Sequence, residues 1–422
     1  MKVLWITNIL FPEALTSISG DSTLRASGGW MLGAASTITK HKELSLAIAS
    51  CSALVNELKV VKGKNIIHYI IPMCSGNIKI NNQYLPYWKE IEDDFNPDVV
   101  HIHGTEYSHG LAYMDACGTS KVVISIQGLT SVCERYYRGG LSTSQILKSL
   151  TLRDLILGTL FRGHRSFIKR GKYERMMLAK SHHIIGRTEW DQVHAWSVNP
   201  KAEYHFCNET LRDAFYEGDK WKYEKCQPHT IFASTAGFPI KGFHMLLMAM
   251  PLILREYPDA TIRVAGIDVT RSTIGLKGKL IRTGYGNYLS RLIIQNGLEE
   301  KVIFTGPLNA EEMRREYLSA NVFVCPSSIE NSPNSLCEAQ IMGVPNISSY
   351  VGGTMDLTAN PSMGELYRFD EVEMLAWKVC KLFRESQEFD NTNMIYKAMQ
   401  RHDREVNANT LVAIYNRIKS NV

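Results

Sequence analysis

The sequence predicts an α/β protein made of two halves, each built on a parallel sheet. Its 422 residues leave room for two or three domains at roughly 100 to 200 residues each. Short apolar strands alternate with amphipathic helical stretches along most of the chain, which is the pattern of βαβ units. The alternation stops at a polar, aromatic and basic stretch, Trp221 to His229, and then restarts. A content of 45% hydrophobic and 21% charged residues is that of an ordinary globular protein and excludes disordered and collagen-like classes. The nine cysteines are odd in number and scattered, with no Cys-x-x-Cys pair. They exclude a disulfide scaffold and read as reduced thiols of a cytoplasmic protein.

The first half is expected to hold strands at Val3 to Ile6, Leu44 to Ala49, Ile66 to Ile71, Val99 to Ile102, Val122 to Ile126 and His183 to Ile185. Asn8, Pro12 and Glu13 interrupt the N-terminal apolar stretch and no small-residue cleavage site follows, so it reads as a strand and not as a signal peptide. No uncharged apolar run approaches the roughly 18 residues of a spanning helix. From Arg135 to Lys180 eleven Lys and Arg face only Asp154 and Glu174, so this segment holds +9 of a net +5 and the rest of the chain −4. No nucleic-acid motif with interleaved stacking aromatics accompanies it, so nucleic acid is not an expected partner. The segment is a candidate for docking on an anionic membrane surface, the alternative being a solvated basic helix packed on its own domain. In the second half strands are expected at Thr230 to Phe232, Ile262 to Ala265, Val302 to Phe304, Val322 to Val324 and Asn346 to Ser348. After Gly242, Phe243, Leu246, Leu247, Met250, Ile253, Leu254 and Tyr257 recur at helical spacing, with Pro251 expected to kink the helix. Asn309 and Glu312 form an N-cap pair for the helix that follows them.

Strand Val322 to Cys325 runs into a loop, Pro326 to Pro333, and then a helix that Gly343 and Pro345 end. Loops at this end of a parallel sheet bind ligands. Asn334 or Ser335 is expected to cap the helix, whose free amides and positive dipole end suit a diphosphate. Glu330 falls in the loop and Glu338 about one turn into the helix. Two carboxylates so close in sequence do not flank a scissile bond from opposite faces, as a glycosidase pair does. They are expected to grip one ligand, because a carboxylate accepts from two hydroxyls and so matches a ribose diol or adjacent sugar hydroxyls. No clustered His, Cys and Asp set shows metal-ligand spacing, so no metal is expected. His101 and His103 alternate on a buried strand end, where packing or loop anchoring is the usual role.

The spacing Glu330, seven residues, Glu338 resembles the hallmark of glycosyltransferase family 4, the retaining GT-B enzymes. Gly28-Gly29, Pro97 to Gly104, Ile185-Gly186-Arg187-Thr188, Lys241-Gly242 and Val351-Gly352-Gly353 extend the resemblance over nearly the whole chain. It implies a GT-B fold, two Rossmann-like domains facing across a cleft. These are an acceptor-side domain over 1–222, a nucleotide-sugar domain over 223–395, and a last helical segment over 396–422 that returns to the first domain. It further implies that Glu330 contacts the donor sugar, Lys241 the diphosphate and Glu338 the ribose, with Asn334, Ser335 and Leu336 in the donor loop. Gly28, Gly29 and His103 fall in the acceptor or phosphate loop set. The family often has an Arg about five residues before the Lys, whereas Thr235 to Ile240 contains none; Arg187 and Arg212 are candidate replacements. Gln127-Gly128 stands where His-Gly is common, so Gln127 can bind a sugar hydroxyl but cannot titrate. Asn331-Ser332-Pro333 replaces a common Gly-Phe-Gly. The implied activity is transfer of a sugar with retention, without metal or cofactor, from a nucleotide sugar to a saccharide or lipid-linked saccharide acceptor. Its setting would be bacterial surface polysaccharide or glycolipid assembly at the inner face of the membrane. Two rival readings are a nucleotide-sugar isomerase or hydrolase on the same fold, and a non-enzymatic lipid- or polyanion-binding module.

Overall fold

A computed structural model describes residues 1–21, 29–73, 82–271 and 282–421, apart from the side chains of 159–161. The chain forms two compact units, one of residues 1–132, 166–212 and 402–422, the other of residues 133–165 and 213–401. The ranges expected from sequence are contiguous stretches. Residues 133–165 instead belong with the second set, because Gly139, Gln145 and Ser149 hydrogen-bond to His244, Tyr288 and Asn287 there. Among the described residues no helix is long and apolar enough to cross a membrane.

The first unit is built on strands β1 (Lys2–Thr7), β2 (Ser45–Ser52), β3 (Lys59–Lys62), β4 (Ile66–Pro72), β5 (Val99–His103), β6 (Val122–Ser125), β7 (His183–Gly186) and β8 (Glu203–Phe206). They lie in the order β3-β4-β2-β1-β5-β6-β7-β8, parallel except for β3 against β4. Side chains alternate across a strand, so central β1 feeds two cores. Leu4 and Ile6 pack with Trp88 and Tyr113, while Val3 and Trp5 pack with Met31, Ile414 and Tyr415. Burying each of these large side chains contributes about 1.5–3 kcal/mol. The helix Arg404–Ser420 supplies Ile414, Tyr415 and Ile418 to the second core. Trp5 Nε1 donates to Tyr415 Oη at 2.9 Å.

The second unit holds β9 (Thr230–Ala233), β10 (Thr261–Val264), β11 (Val302–Phe304), β12 (Val322–Cys325), β13 (Asn346–Ser349) and β14 (Glu365–Tyr367), all parallel in the order β11-β10-β9-β12-β13-β14. This is a doubly wound sheet whose strand order reverses between β9 and β12, the place where such sheets bind ligands. The helix Phe243–Glu256 runs through Pro251 and buries Phe243, Leu246, Leu247, Met250 and Ile253 as its spacing requires. The expected capping box is present: Asn309 Oδ1 accepts from Glu312 N at 2.9 Å and Glu312 Oε2 from Asn309 N at 2.7 Å. All eleven strands read from the sequence form. The sequence reading missed β3, β8 and β14, which are short edge strands with few buried residues and so lack an apolar run.

Candidate active site

In the second unit the chain leaves β9 and turns through Pro239–Lys241 into Gly242, whose φ is 66°. A Cβ at residue 242 would lie 1.7 Å from the Pro326 carbonyl oxygen, so only glycine lets this turn close on the loop after β12. Ser328 N donates to Ile240 O at 2.8 Å and ties the two segments together. On the loop's other side Gly352 has φ 51°, and a Cβ there would lie 2.0 Å from the Glu330 carbonyl oxygen. Gly353 N donates to that same oxygen at 3.0 Å. The glycines of two sequence motifs thus hold the Pro326 to Pro333 loop between them.

Lys241 and Glu330 meet in the result. Lys241 Nζ donates to Glu330 Oε1 at 2.6 Å, and Ser327 Oγ donates to the same oxygen at 2.7 Å. The Glu330 side chain is 12% exposed and that of Lys241 37%. Burial disfavours the Lys241 charge, but the charge and hydrogen bond of Glu330 outweigh it and hold the ammonium pKa above its ordinary value. The two residues to which the resemblance gives separate contacts, one on sugar and one on diphosphate, therefore balance each other here.

The helix Asn334–Met342 follows, with Gly343 left-handed at its C-terminus. The expected cap does not form. Pro333 takes the N-cap position in extended conformation and no side-chain cap bond is made, so Asn334, Ser335 and Leu336 are the first three helical residues. Proline fixes the entry angle without a hydroxyl or carboxyl. Glu338 is buried in the next turn. Tyr317 Oη donates to Glu338 Oε2 at 3.2 Å and to the Ser335 carbonyl at 2.9 Å. Tyr317 is itself fully buried, edge-on to Phe232, Phe323 and Phe215. Nothing in local spacing links Tyr317 to Glu338, which lies 21 residues on.

The first unit gathers a second set of expected residues at the C-terminal ends of β5, β6 and β7. His103, Gln127 and Arg187 line one pocket with Trp30, Glu209 and Asn407. Arg187 is buried and ion-paired with Glu209, and its Nη2 donates to Gln127 O at 3.3 Å and Gln127 Oε1 at 3.4 Å. Its charge is thus neutralised by a carboxylate that sequence reading did not single out. The paired histidines divide their roles. His101 is anchored, Nδ1 to Tyr415 Oη at 2.6 Å and Nε2 to Ser125 Oγ at 2.5 Å. His103 packs against it in a tilted pair, with ring centroids 3.7 Å apart, and its ring lies 4.5 Å from that of Trp5; among the described residues neither of its ring nitrogens has a hydrogen-bond partner. Burial pushes its pKa down to about 3, so the imidazole is neutral. Gly29 opens the helix Gly29–Ile38, where a Cβ would lie 3.0 Å from Arg212 Cγ, so Arg212 packs on that helix start. Gly28 lies outside the described residues.

Two doubly wound sheets, with a lysine–carboxylate pair at the switch point of the second, define the GT-B class of fold. Residues 218–401, which contain Lys241, Glu330 and Glu338, match the family described as Glycosyl transferases group 1. This stretch is therefore a group 1 glycosyltransferase domain, the assignment to which the sequence motifs pointed. The chain is 31% identical over 139 residues to an uncharacterized glycosyltransferase of Methanocaldococcus jannaschii, a match covering 33% of this chain and 32% of the relative. The chain thus spans about a third of the length of such curated relatives. Among solved structures it is similar to a sucrose-phosphate synthase from Thermosynechococcus elongatus, with TM-score 0.70, 15% identity, and 100% and 99% of the two chains covered. It is also similar to HepE of Anabaena in complex with UDP-glucose, with TM-score 0.64, 15% identity, and 99% and 100% covered.

Proposed function

We propose that this protein is a retaining glycosyltransferase that moves a sugar from a nucleoside diphosphate sugar to a hydroxyl acceptor without a metal. The observation that carries the reading is the Lys241–Glu330 pair at the switch point of the second sheet, followed one turn into the next helix by buried Glu338. As a glycosidic bond to diphosphate breaks, charge builds on the leaving group. A lysine and a helix N-terminus aimed there stabilise the transition state more than the ground state. Glu330 exchanges its lysine hydrogen bond for sugar hydroxyls, releasing Lys241 toward the diphosphate, and Glu338 accepts from the ribose diol. In the first unit, neutral His103 and Gln127 offer hydrogen bonds to a saccharide without taking up charge. HepE was solved with UDP-glucose, which makes UDP-sugars the first donors to try. Incubation with donor and a hydroxyl acceptor should give a glycoside whose anomeric configuration, read by NMR, matches the donor, with activity that survives EDTA. Inversion, or loss on chelation with rescue by Mn2+ or Mg2+, would contradict this mechanism. Turnover of donor to free or rearranged sugar, unaltered by acceptor, would favour the isomerase or hydrolase reading.

The acceptor is proposed to be lipid-linked, as in surface polysaccharide or glycolipid assembly. The short helix Leu152–Leu157 is turned inside out. Asp154 is buried and binds Thr151 N at 3.0 Å and Oγ1 at 2.7 Å, while Leu155 and Ile156 are 69% and 60% exposed and Leu152 and Leu157 are also exposed. Arg153 lies within this helix, and Arg162 and Arg165 follow it in the sequence. Apolar side chains interleaved with arginines suit the boundary of an anionic bilayer, each cation near the surface adding about 1 kcal/mol. Sedimentation with anionic vesicles at low salt should carry the protein down and neutral vesicles should not. Equal binding to both, or none, removes the membrane claim and leaves the transferase reading intact.

A further inference from the structure

At one edge of the first unit's sheet, β7 and β8 pair in parallel with His183 opposite Glu203 and Ile185 opposite His205. Residues two apart on a strand share a face, so His183, Glu203 and His205 stand together. His183 Nδ1 lies 3.1 Å from His205 Nε2 and 3.6 Å from Glu203 Oε2, and one ligand atom from each residue falls within 4.8 Å of the other two. Neighbouring ligands of a tetrahedral ion with bonds of about 2.0–2.1 Å are about 3.3 Å apart. Both histidines are buried, and an ion between them would replace the proton now shared by His183 Nδ1 and His205 Nε2. The linear sequence hides this cluster, because Glu203 and His205 follow His183 by some 20 residues and meet it only through strand pairing.

We propose that His183, Glu203 and His205 bind one divalent transition ion of borderline softness, with Zn2+ the best match, a water completing the fourth position. Two imidazoles and one carboxylate suit such an ion, whereas Mg2+ and Ca2+ take oxygen ligands. Arg417, on the helix packed over this face, lies 2.5 Å from Glu203 Oε1 and is the competing cation. It leaves Oε2, the oxygen nearer His183, for the ion, and its side chain is 63% exposed and can swing into solvent. His182 is the other titratable group that influences His183. The ion would staple β8, a four-residue edge strand, to β7. Three residues past β8 comes Glu209, the partner of Arg187, so the staple also steadies that pocket wall. It takes no part in the chemistry proposed for Lys241 and Glu330.

Untagged protein stripped with EDTA and dialysed is titrated with Co2+ and then Zn2+. One equivalent of Co2+ should produce the visible d–d bands of a four- or five-coordinate site, and Zn2+ should displace them and raise the thermal midpoint. H205Q and E203Q should each weaken Zn2+ binding about tenfold or more with unchanged far-UV circular dichroism. R417A, a substitution at an exposed position that does not threaten folding, should tighten Co2+ binding severalfold. Absence of the bands in the wild-type protein, bands that persist in both ligand variants, or an unchanged affinity in R417A overturns the assignment.

Discussion

Gly242 and Gly352 decide where Lys241 and Glu330 stand, because each admits a carbonyl oxygen where a Cβ would collide. Gly352→Ala adds both that collision and a left-handed φ. It should destabilise the second unit by roughly 1–3 kcal/mol and lower turnover at least as much as it lowers donor affinity. Wild-type turnover and an unchanged urea midpoint would show that the loop does not depend on the close approach. Lys241→Ala should reduce turnover at saturating donor about a hundredfold. Glu338→Ala should instead weaken nucleotide binding by about 1–3 kcal/mol, and Tyr317→Phe should follow it in direction with a smaller effect, both read by calorimetric titration with the nucleoside diphosphate. Equal small losses in Lys241→Ala and Glu338→Ala would undo the division of roles. Glu330 and Glu338 were legible because only seven residues of loop and helix separate them. Tyr317 and Glu209 were not, since each meets its partner through tertiary packing, and Ser327 was not because only the turn of the loop brings its hydroxyl back onto Glu330 three residues on. Asn334 and Ser335 were misread as caps because Pro333 already sets the extended N-cap geometry.

Elements were legible to the extent that burial wrote a pattern into them. Central strands are buried on both faces and read as apolar runs, while edge strands such as Glu203–Phe206 fully bury only one residue of four and read as loop. The helix Leu152–Leu157 shows the opposite failure, an apolar run that lies outside. Its stability rests on Asp154, which accepts from both the backbone and hydroxyl of Thr151. Asp154→Ala should cost about 0.5–2 kcal/mol in urea unfolding. The double change Leu155→Ser with Ile156→Ser should leave the unfolding midpoint in place and abolish sedimentation with anionic vesicles. A large loss of stability in the double variant would show those side chains buried against protein.

Across the molecule, acid should weaken both units through their buried neutral histidines. His103 in the first unit is held to a pKa of about 3, and His244 in the second, bonded to Tyr285 Oη at 3.0 Å and Gly139 O at 2.9 Å, to about 4, burial being the main cause in each. In the unfolded chain both titrate near 6.5, so between about 6.5 and 4 the unfolded state binds more protons and stability falls as pH falls. The loss is on the order of 2–3 kcal/mol for each group. Urea midpoints at pH 7 and pH 4.5 should show it, and His244→Asn should flatten the dependence of the second unit alone; identical pH slopes in wild type and variant would exclude His244 as a source. The bond between Trp5 and Tyr415, which joins residues 410 apart, carries a consequence for synthesis. At about 5–20 residues per second a ribosome needs some 20 to 80 s to pass from one to the other. The unit that begins first is thus completed last, and the nascent chain must shield the Val3 and Trp5 face of its central strand until the helix that covers it has been made.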